Sequence, residues 1–345
     1  MLPTRRSLLA AGGFGLTLKA GGLTLPLGVA RAQGLTKQSW MSPSRITLLQ
    51  AYTVVGKEKG YYAEEGLDLE IQQSSGTASS VSQVAGGVVS LGQSAPATTA
   101  GPIANDGLSV VTIGQISYKS FFELASLPGR PMLKPQDWQG KTIGIMSTGG
   151  STDNLLDAMS IAEGLNPRGV KKVVTGLGPQ GYAFLERGQV DAFFVFYETR
   201  VALEQQGVNL TYLSTDTFAP QPGDALICST KLAEDPAAEK ALVSFIRASR
   251  RAIEFYGDPA NDDEVLRYLT KYNPIEGRNV PKGKRVLELV RGYMTPPPGT
   301  PRMVCDEAQW RAGIDLMERI GIIKNKGLPM DRYMTNRFAL KAAQA

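Results

Sequence analysis

Lys141-Thr142-Ile143-Gly144-Ile145-Met146-Ser147-Thr148-Gly149-Gly150-Ser151-Thr152-Asp153-Asn154-Leu155-Leu156 carries the change of pattern that decides the fold. Thr142 to Met146 is a short β-rich apolar run, and Leu155, Leu156 and Met159 begin a helical period. Between them, Ser147 to Thr152 is built only of glycine, serine and threonine. Glycine lets the backbone turn tightly and lets a ligand come close to it. Ser151 or Thr152 suits the N-cap of the following helix, and Asp153 suits its first turn. A strand that runs through such a loop into a helix leaves backbone N–H groups and a positive dipole end facing outward. That arrangement fits an anion or the polar edge of a ligand. The same composition also serves an ordinary βα turn. It is not a nucleotide P-loop, because no Gly-Lys-Ser/Thr follows the glycines, and the Rossmann spacing is missing as well.

Strands and helices alternate on both sides of this loop. Downstream we expect a helix over 152–163 closed by Gly164, strands at 172–175, 190–196 and 210–214, and helices at 179–187 and 198–206. Upstream, Arg45 to Ala51 reads as the first strand, 53–65 as a helix ending at Gly66, and 67–72 as a strand with Leu67, Leu69 and Ile71 inward. A helix over 76–84, strands at 88–93 and 108–116, and a helix opened by Pro96 complete this part. Such alternation implies α/β architecture with largely parallel sheets. Pro128-Gly129-Arg130-Pro131 and Phe218-Ala219-Pro220-Gln221-Pro222-Gly223 are breaker-rich and read as two crossings between lobes. The expected plan is a first lobe from 33–127 and 225–345, with a second lobe, 128–224, inserted between. Lobes joined by two passes can hinge about a cleft. Gly87-Val88-Val89-Ser90-Leu91 and Gly188-Gln189-Val190-Asp191-Ala192 form a faint internal echo, each following a helix and entering a strand. From Pro236 the chain reads as helical (237–256, 262–272, 282–293 and 307–320), interrupted by a stiff proline-rich linker from Thr295 to Pro301.

The first 32 of the 345 residues read as an export signal rather than as fold. Thr4-Arg5-Arg6-Ser7-Leu8-Leu9 is a twin-arginine pattern, and Ala30-Arg31-Ala32 fits a small-x-small cleavage site near Ala32. Lys19 and several glycines make the apolar run between them a poor membrane span. This segment holds Arg5, Arg6, Lys19 and Arg31 and no acid, so the formal +5 of the whole chain falls to +1 without it. A nucleic-acid footprint is therefore not expected. Cys228 and Cys305 are the only cysteines; in an oxidising compartment they either pair or stay as two separate buried thiols. The chain has no histidine, which removes the commonest general base, the Ser-His and Cys-His nucleophile arrangements and the commonest metal ligand. No metal, cofactor or catalytic residue is expected.

Two ordered blocks carry a family resemblance: Gly60-Tyr61-Tyr62-Ala63-Glu64-Glu65-Gly66-Leu67-Asp68-Leu69-Glu70 and Asp137-Trp138-Gln139-Gly140-Lys141-Thr142-Ile143-Gly144-Ile145. With the export signal and the Ser/Thr/Gly loop, the chain resembles the NMT1/THI5-like substrate-binding proteins of nitrate/sulfonate/taurine-type ABC importers. The resemblance implies a two-lobe type II periplasmic-binding-protein fold. It also implies a monomer in the periplasm that closes on a small solute and presents it to the membrane permease of an ABC importer. The chain departs from the family at Ser90, where an Asp is common. Family sites lie at strand ends facing the cleft. Carried onto this chain, they imply Gln50, Ala51 and Tyr52, then Gln93 and Ser94, then Thr148, Gly149, Gly150, Ser151 and Thr152, and last Phe196, Tyr197 and Glu198. Hydroxyl and N–H groups would hold an anion's oxygens, while Tyr52, Phe196 and Tyr197 would stack on a flat or apolar body. Core packing for Tyr52 and Phe196, helix entry for Gln93 and Ser94, and a solvated first-turn acid for Glu198 are the plainer readings. Arg200 and Lys119 are the nearest candidates for charge pairing; otherwise they are solvated surface charge. The solute expected is a small organic anion of sulfonate or carboxylate type. A pyrimidine or thiamin-precursor-like solute is the alternative, and an exported cofactor enzyme a more distant one.

Overall fold

The structure, a computed structural model, describes residues 34–176 and 178–344. The export segment expected over 1–32 lies outside the described residues. Strands β1 Thr36–Ser42, β2 Leu67–Gln73, β3 Leu91–Ser94, β4 Val110–Gln115 and β10 Ala225–Ser229 form one sheet in the order β2-β1-β3-β10-β4. Strands β5 Phe122–Ser126, β6 Thr142–Ile145, β7 Lys171–Val174, β8 Ala192–Phe196 and β9 Thr211–Ser214 form the second, in the order β7-β6-β8-β5-β9. The two orders have one plan. In each, three parallel strands are followed by an antiparallel strand in fourth place, β10 in the first sheet and β5 in the second. The chain passes from the first sheet to the second after β4 and returns after β9, giving two lobes joined by two crossings.

Both faces of each sheet are covered, so adjacent strand residues serve opposite cores. On β10, Leu226 and Cys228 enter one apolar cluster while Ala225 and Ile227 enter another. On β8, Phe193 and Val195 enter one cluster, while Ala192 and Phe194 enter the cluster on the other face. The internal echo has the same geometry in both halves. Gly87 and Gly188 sit at φ 70° and 68°, the left-handed conformation that glycine tolerates best. The Val88 N–H donates to Gln83 O and the Gln189 N–H to Phe184 O, both at 2.9 Å. The strands they precede, β3 and β8, hold the third place in their sheets. At the position that breaks the family pattern, the Ser90 N–H donates to Ser39 Oγ at 2.9 Å, whereas Asp191 Oδ2 in the other half accepts from the Thr142 N–H at 2.9 Å.

Several expected elements move. Residues 45–51 are not the first strand, which is Thr36–Ser42. Thr47 instead caps a 3-10 turn, Leu48–Gln50, through a reciprocal capping box with Gln50, and this turn leads into the helix Ala51–Glu58. The helix expected over 53–65 breaks at Gly60, φ 79°, into Ala51–Glu58 and Tyr61–Glu64. Residues 122–127, expected in the first lobe, contribute β5, which pairs with β8 and β9; the first crossing therefore precedes Phe122 and does not lie at 128–131. Val88, expected within a strand, is 72% exposed in the turn before β3. Cys228 and Cys305 are free buried thiols in different apolar clusters. No helix among the described residues is long and apolar enough to cross a membrane.

Candidate functional site

A cavity of about 480 Å³ lies between the two sheets. Its wall takes residues from the first lobe, among them Arg45, Gln50, Thr77, Ser94 and Asp224, and from the second, among them Phe122, Ser151, Asn154, Phe196 and Glu198. Four helices of at least eight residues begin at this wall. They are Thr77–Ala85, Pro96–Asp106, Ser151–Ala162 and Tyr197–Gln205, and Thr77, Ala97, Ser151 and Tyr197 from their first turns line the cavity. None of the four has a side-chain cap at its N-terminus, a feature shared with Glu239–Gly257 and Asp262–Thr270 away from the wall, while Ser229, Asn273, Asn279 and Asp306 cap other helices. Uncapped first turns carry N–H groups and partial positive charge, here aimed from both lobes at one space. A fifth helix, Ala51–Glu58, also begins here. Its lead-in donors are taken up internally, since the Leu48 N–H donates to Glu276 Oε2 and the Leu49 N–H to Thr47 Oγ1.

The Ser/Thr/Gly loop reaches the cavity through one residue. Ser151 is exposed and lines the wall, followed one turn later by Asn154 and Leu155. Thr152 is buried, and its Oγ1 accepts from the Met146 N–H at 2.8 Å. The Gly149 N–H donates to Asp153 Oδ2 at 2.7 Å, so that amide closes the loop and does not face the cavity. Thr148, Gly149, Gly150 and Thr152 are absent from the wall. Asp153 acts as a brace: Lys172 Nζ binds both its carboxylate and that of Asp157.

Gln50, Ser94, Phe196, Tyr197 and Glu198 line the wall, as their placement at element ends suggests. Tyr52 and Gln93 stand behind it, fully buried. The Tyr52 hydroxyl donates to Gln93 Oε1 at 3.2 Å, and Gln93 Nε2 donates to Asp224 Oδ2 at 2.7 Å. Asp224, which lines the cavity, ends this relay, and burial pushes its carboxyl up to about 6 against the downward pull of the Gln93 bond. Arg200 does not face the solute space: it forks onto Glu123 at 2.8 and 3.0 Å and binds Glu204 at 2.9 Å. Lys119 is exposed and off the wall. Among the described residues Arg45 is the one basic side chain on it, 58% exposed and 3.8 Å from Glu276. Glu276 is itself pushed up, first by burial and then by the charge of Glu198 across the cleft mouth. The apolar part of the wall combines aliphatic residues such as Leu49, Leu155 and Ile322 with an aromatic group in which Phe122 lies 5.9 Å and Tyr197 4.1 Å from Phe196 between ring centres. Sequence reasoning missed Arg45, Thr47, Thr77, Phe121, Asn154 and Asp224.

A family model described as NMT1/THI5 like matches residues 50–261. The chain belongs to that family. Among solved structures, the putative periplasmic sulfonate-binding protein SsuA of Methylobacillus flagellatus KT is similar over 90% of this chain and 94% of that one, at 15% identity and a TM-score of 0.67. The aliphatic sulphonate binding protein SsuA of Escherichia coli matches over 89% and 99%, at 17% identity and 0.64. The nitrate-binding protein NrtA of Synechocystis PCC 6803 matches over 90% and 89%, at 14% identity and 0.64. No curated protein matched. The solved neighbours share the fold, the two-lobe periplasmic-binding-protein architecture.

Proposed function

We propose that this NMT1/THI5-like chain is an exported solute receptor, a binder rather than an enzyme, that holds a small organic anion of sulfonate or carboxylate type in the cleft between its lobes. It then presents the solute to the permease of an ABC importer. The observation that carries this reading is the convergence of four uncapped helix N-termini, two from each lobe, on one cavity. Backbone N–H groups can hold anionic oxygens without a formal countercharge, and Arg45, the only basic residue on the wall among the described residues, is more than half in solvent. Closing the lobes brings both pairs of N-termini onto the same ligand, which couples binding to closure. The Phe122–Phe196–Tyr197 surface suits a flat or branched organic body, and this feature also supports a second solute class, pyrimidine-like rings.

A ligand that binds only the folded state stabilises it, by about 2.7 kcal/mol at a concentration of one hundred times Kd. Ethanesulfonate, 4-methylbenzoate, nitrate and 2-methylpyrimidine are the probes for a thermal-shift and calorimetric panel. At least one organic anion is expected to raise the melting temperature by several degrees, and Ser151→Glu, which adds a like charge at a helix N-terminus, to abolish that rise. A panel without effect at millimolar concentration overturns the reading.

A further inference from the structure

The mouth of the cleft brings together two carboxyl groups, one from each lobe. Glu276 belongs to the short helix Pro274–Gly277 of the first lobe, and this turn is pinned from several sides. Its N–H donates to Asn273 Oδ1 at 3.3 Å, and Asn273 Nδ2 donates to Ile46 O at 2.8 Å. Gly277 lets the turn press on the helix Asp262–Thr270, since a Cβ there would stand 2.3 Å from Thr270 Oγ1. The Asn279 N–H donates to Glu276 O at 3.3 Å. The Glu276 side chain keeps only 11% exposure: Oε2 accepts from the Leu48 N–H at 3.0 Å, while Oε1 is buried without a hydrogen bond. Glu198, in the first turn of the helix Tyr197–Gln205 of the second lobe, lies within hydrogen-bonding reach of this carboxyl. Two ionised carboxylates cannot bond to each other, because both only accept. Burial first and the charge of Glu198 second push Glu276 up to about 7, against the pull of the Leu48 N–H and of Arg45, which is more than half in solvent. Tyr197 from the second lobe and Tyr256 from the helix Glu239–Gly257 also face Glu276, both as neutral phenols. Beside the pair, the hydroxyls of Tyr197 and Thr47 meet across the lobes at 3.3 Å; Thr47 donates to Gln50 Oε1, so Tyr197 is the donor.

We infer that Glu276 and Glu198 form a proton-operated latch on the cleft: with one proton shared between them the lobes hold together, and with both ionised the pair drives them apart. Its effect on solute capture rests on the cleft reading above. On closing, the pair takes one proton from water and makes a charge-assisted O–H···O⁻ bond from lobe to lobe; on opening it returns that proton. In an open form Glu198 moves away and Glu276 loses the cover of the second lobe, so its carboxyl relaxes toward the ordinary value of about 4.3. A carboxyl raised in the closed form favours closure at low pH. That preference fades as pH rises from the open value toward about 7 and levels off above it. The part of the burial that comes from the first lobe persists on opening, so the coupling is smaller than the whole shift. The Arg285–Glu204 contact between the lobes stays ionised through this range, since each partner holds the other in its charged form. It supplies no pH dependence of its own.

Small-angle scattering of the ligand-free protein between about pH 5.5 and about pH 8.5 tests this, with the melting temperature at each pH as the check on folding. The wild-type distance distribution is expected to be narrow at the acid end and to broaden as pH rises. Glu276→Gln keeps an oxygen for the Leu48 N–H and offers Glu198 an amide donor that does not titrate, so its distribution is expected to stay narrow throughout. Glu198→Gln, the same change made from the other lobe, is expected to do likewise, and it decides the matter if the first variant does not fold. Asp224→Asn, which removes the other raised carboxyl on the cleft, is expected to keep the wild-type response. A wild-type distribution that is the same at both ends of the range overturns the latch. So does a folded Gln variant that broadens as fully as the wild type. Either result leaves the cleft reading standing, because no solute is present. A ligand panel without binders removes that reading and leaves this measurement unaffected.

Discussion

Asp224 links the stability of the molecule to its cleft. Its carboxyl titrates at about 6 when folded, against about 3.9 in an unfolded chain, because burial disfavours the charged form. Below the unfolded value both states are protonated and the group costs nothing; as pH rises from about 3.9 to about 6 the unfolded chain ionises while the buried carboxyl stays protonated, so stability falls across that window and levels off above it. Asp216 behaves alike, also pushed up to about 6 by burial although the Ser120 N–H donates to it at 2.7 Å. The ligand-free protein is therefore expected to melt higher at pH 5.5 than at pH 7.5. Asp224→Asn should melt above the wild type at pH 7.5, with the gap narrowing below about pH 6 and closing only near the unfolded value of about 3.9. One kcal/mol corresponds to about 2–4 °C for a protein approaching this size, so scanning calorimetry across this range resolves it. A wild-type melting temperature that falls steadily from pH 7.5 to 5.5 would contradict the sign. Little of this was legible in the sequence. Asp224 follows Pro222-Gly223 in a stretch that reads as a lobe crossing, and an acid in a breaker-rich segment is normally solvated. Gln50, Ser94 and Phe196 to Glu198 came from the family resemblance, and Ser151 also from the loop pattern; each stands on the cavity wall at the end of an element. Whether Tyr52 and Gln93 stand in the wall or one layer behind it depends on packing that no local pattern encodes.

At the scale of elements, the joint from β6 into the helix Ser151–Ala162 depends on two local devices. Gly149 lies at φ 71°, where a side chain is strained, and its N–H is tied to Asp153, which Lys172 holds in place. Gly149→Ala has open space for its methyl group, so the cost is conformational and about 1–2 kcal/mol. The expected result is a melting temperature lower by a few degrees, with solute affinity reduced because Ser151 shifts with the loop. Asp153→Ala should cost about 1–3 kcal/mol by removing the acceptor of the Gly149 N–H. Unchanged melting in both variants would show that the loop is not set this way. The β–loop–helix reading of 141–162 held because three signals coincide there: an apolar run, a glycine turn and a helical period. The reading of 45–51 as a strand failed because Ile46, Leu48 and Leu49 are apolar without distinguishing period 2 from a helical turn, and the Thr47–Gln50 capping box decided it. In β1, Lys37, Gln38 and Ser39 dilute the apolar signal although Trp40 and Met41 are buried. For β5 the sequence shows a strand-like run, Phe122 to Ser126, but its sheet is set by pairing with β8 and β9, contacts far along the chain.

Across the whole molecule, the lobes meet beside the cavity through the helix Tyr197–Gln205 of the second and the helix Val280–Met294 of the first. Arg285 Nε donates to Glu204 Oε2 at 2.8 Å and its Nη2 to Glu204 Oε1 at 3.1 Å, a two-point bridge across the lobes. Glu204 also accepts from Arg200, which grips Glu123 on β5, so the bridge reaches into the second sheet. The Arg285 bond is the largest cause holding the Glu204 carboxyl below its usual range. Beside the bridge, Tyr293 lies 5.5 Å from Phe121 and 6.4 Å from Tyr197 between ring centres, an apolar seat that does not depend on charge. Arg285 and Glu204 retain 33% and 27% of their side-chain exposure, so the bridge is worth at most about 1 kcal/mol after solvent screening. That is small against the stability of a lobe, yet it is comparable to the few kcal/mol that separate open and closed populations in a hinged protein. Arg285→Ala is therefore expected to lower the melting temperature by no more than about 2–4 °C. In small-angle scattering it should broaden the distance distribution of the ligand-free protein, and a bound solute should restore it. Raising salt from about 0.05 to 0.5 M should reproduce the scattering change in the wild type and add nothing in the variant, because screening removes the same interaction. A variant whose scattering matches the wild type at low salt would assign the lobe contact to the contacts that remain, among them the Phe121–Tyr197–Tyr293 cluster and the Thr47–Tyr197 hydroxyl pair.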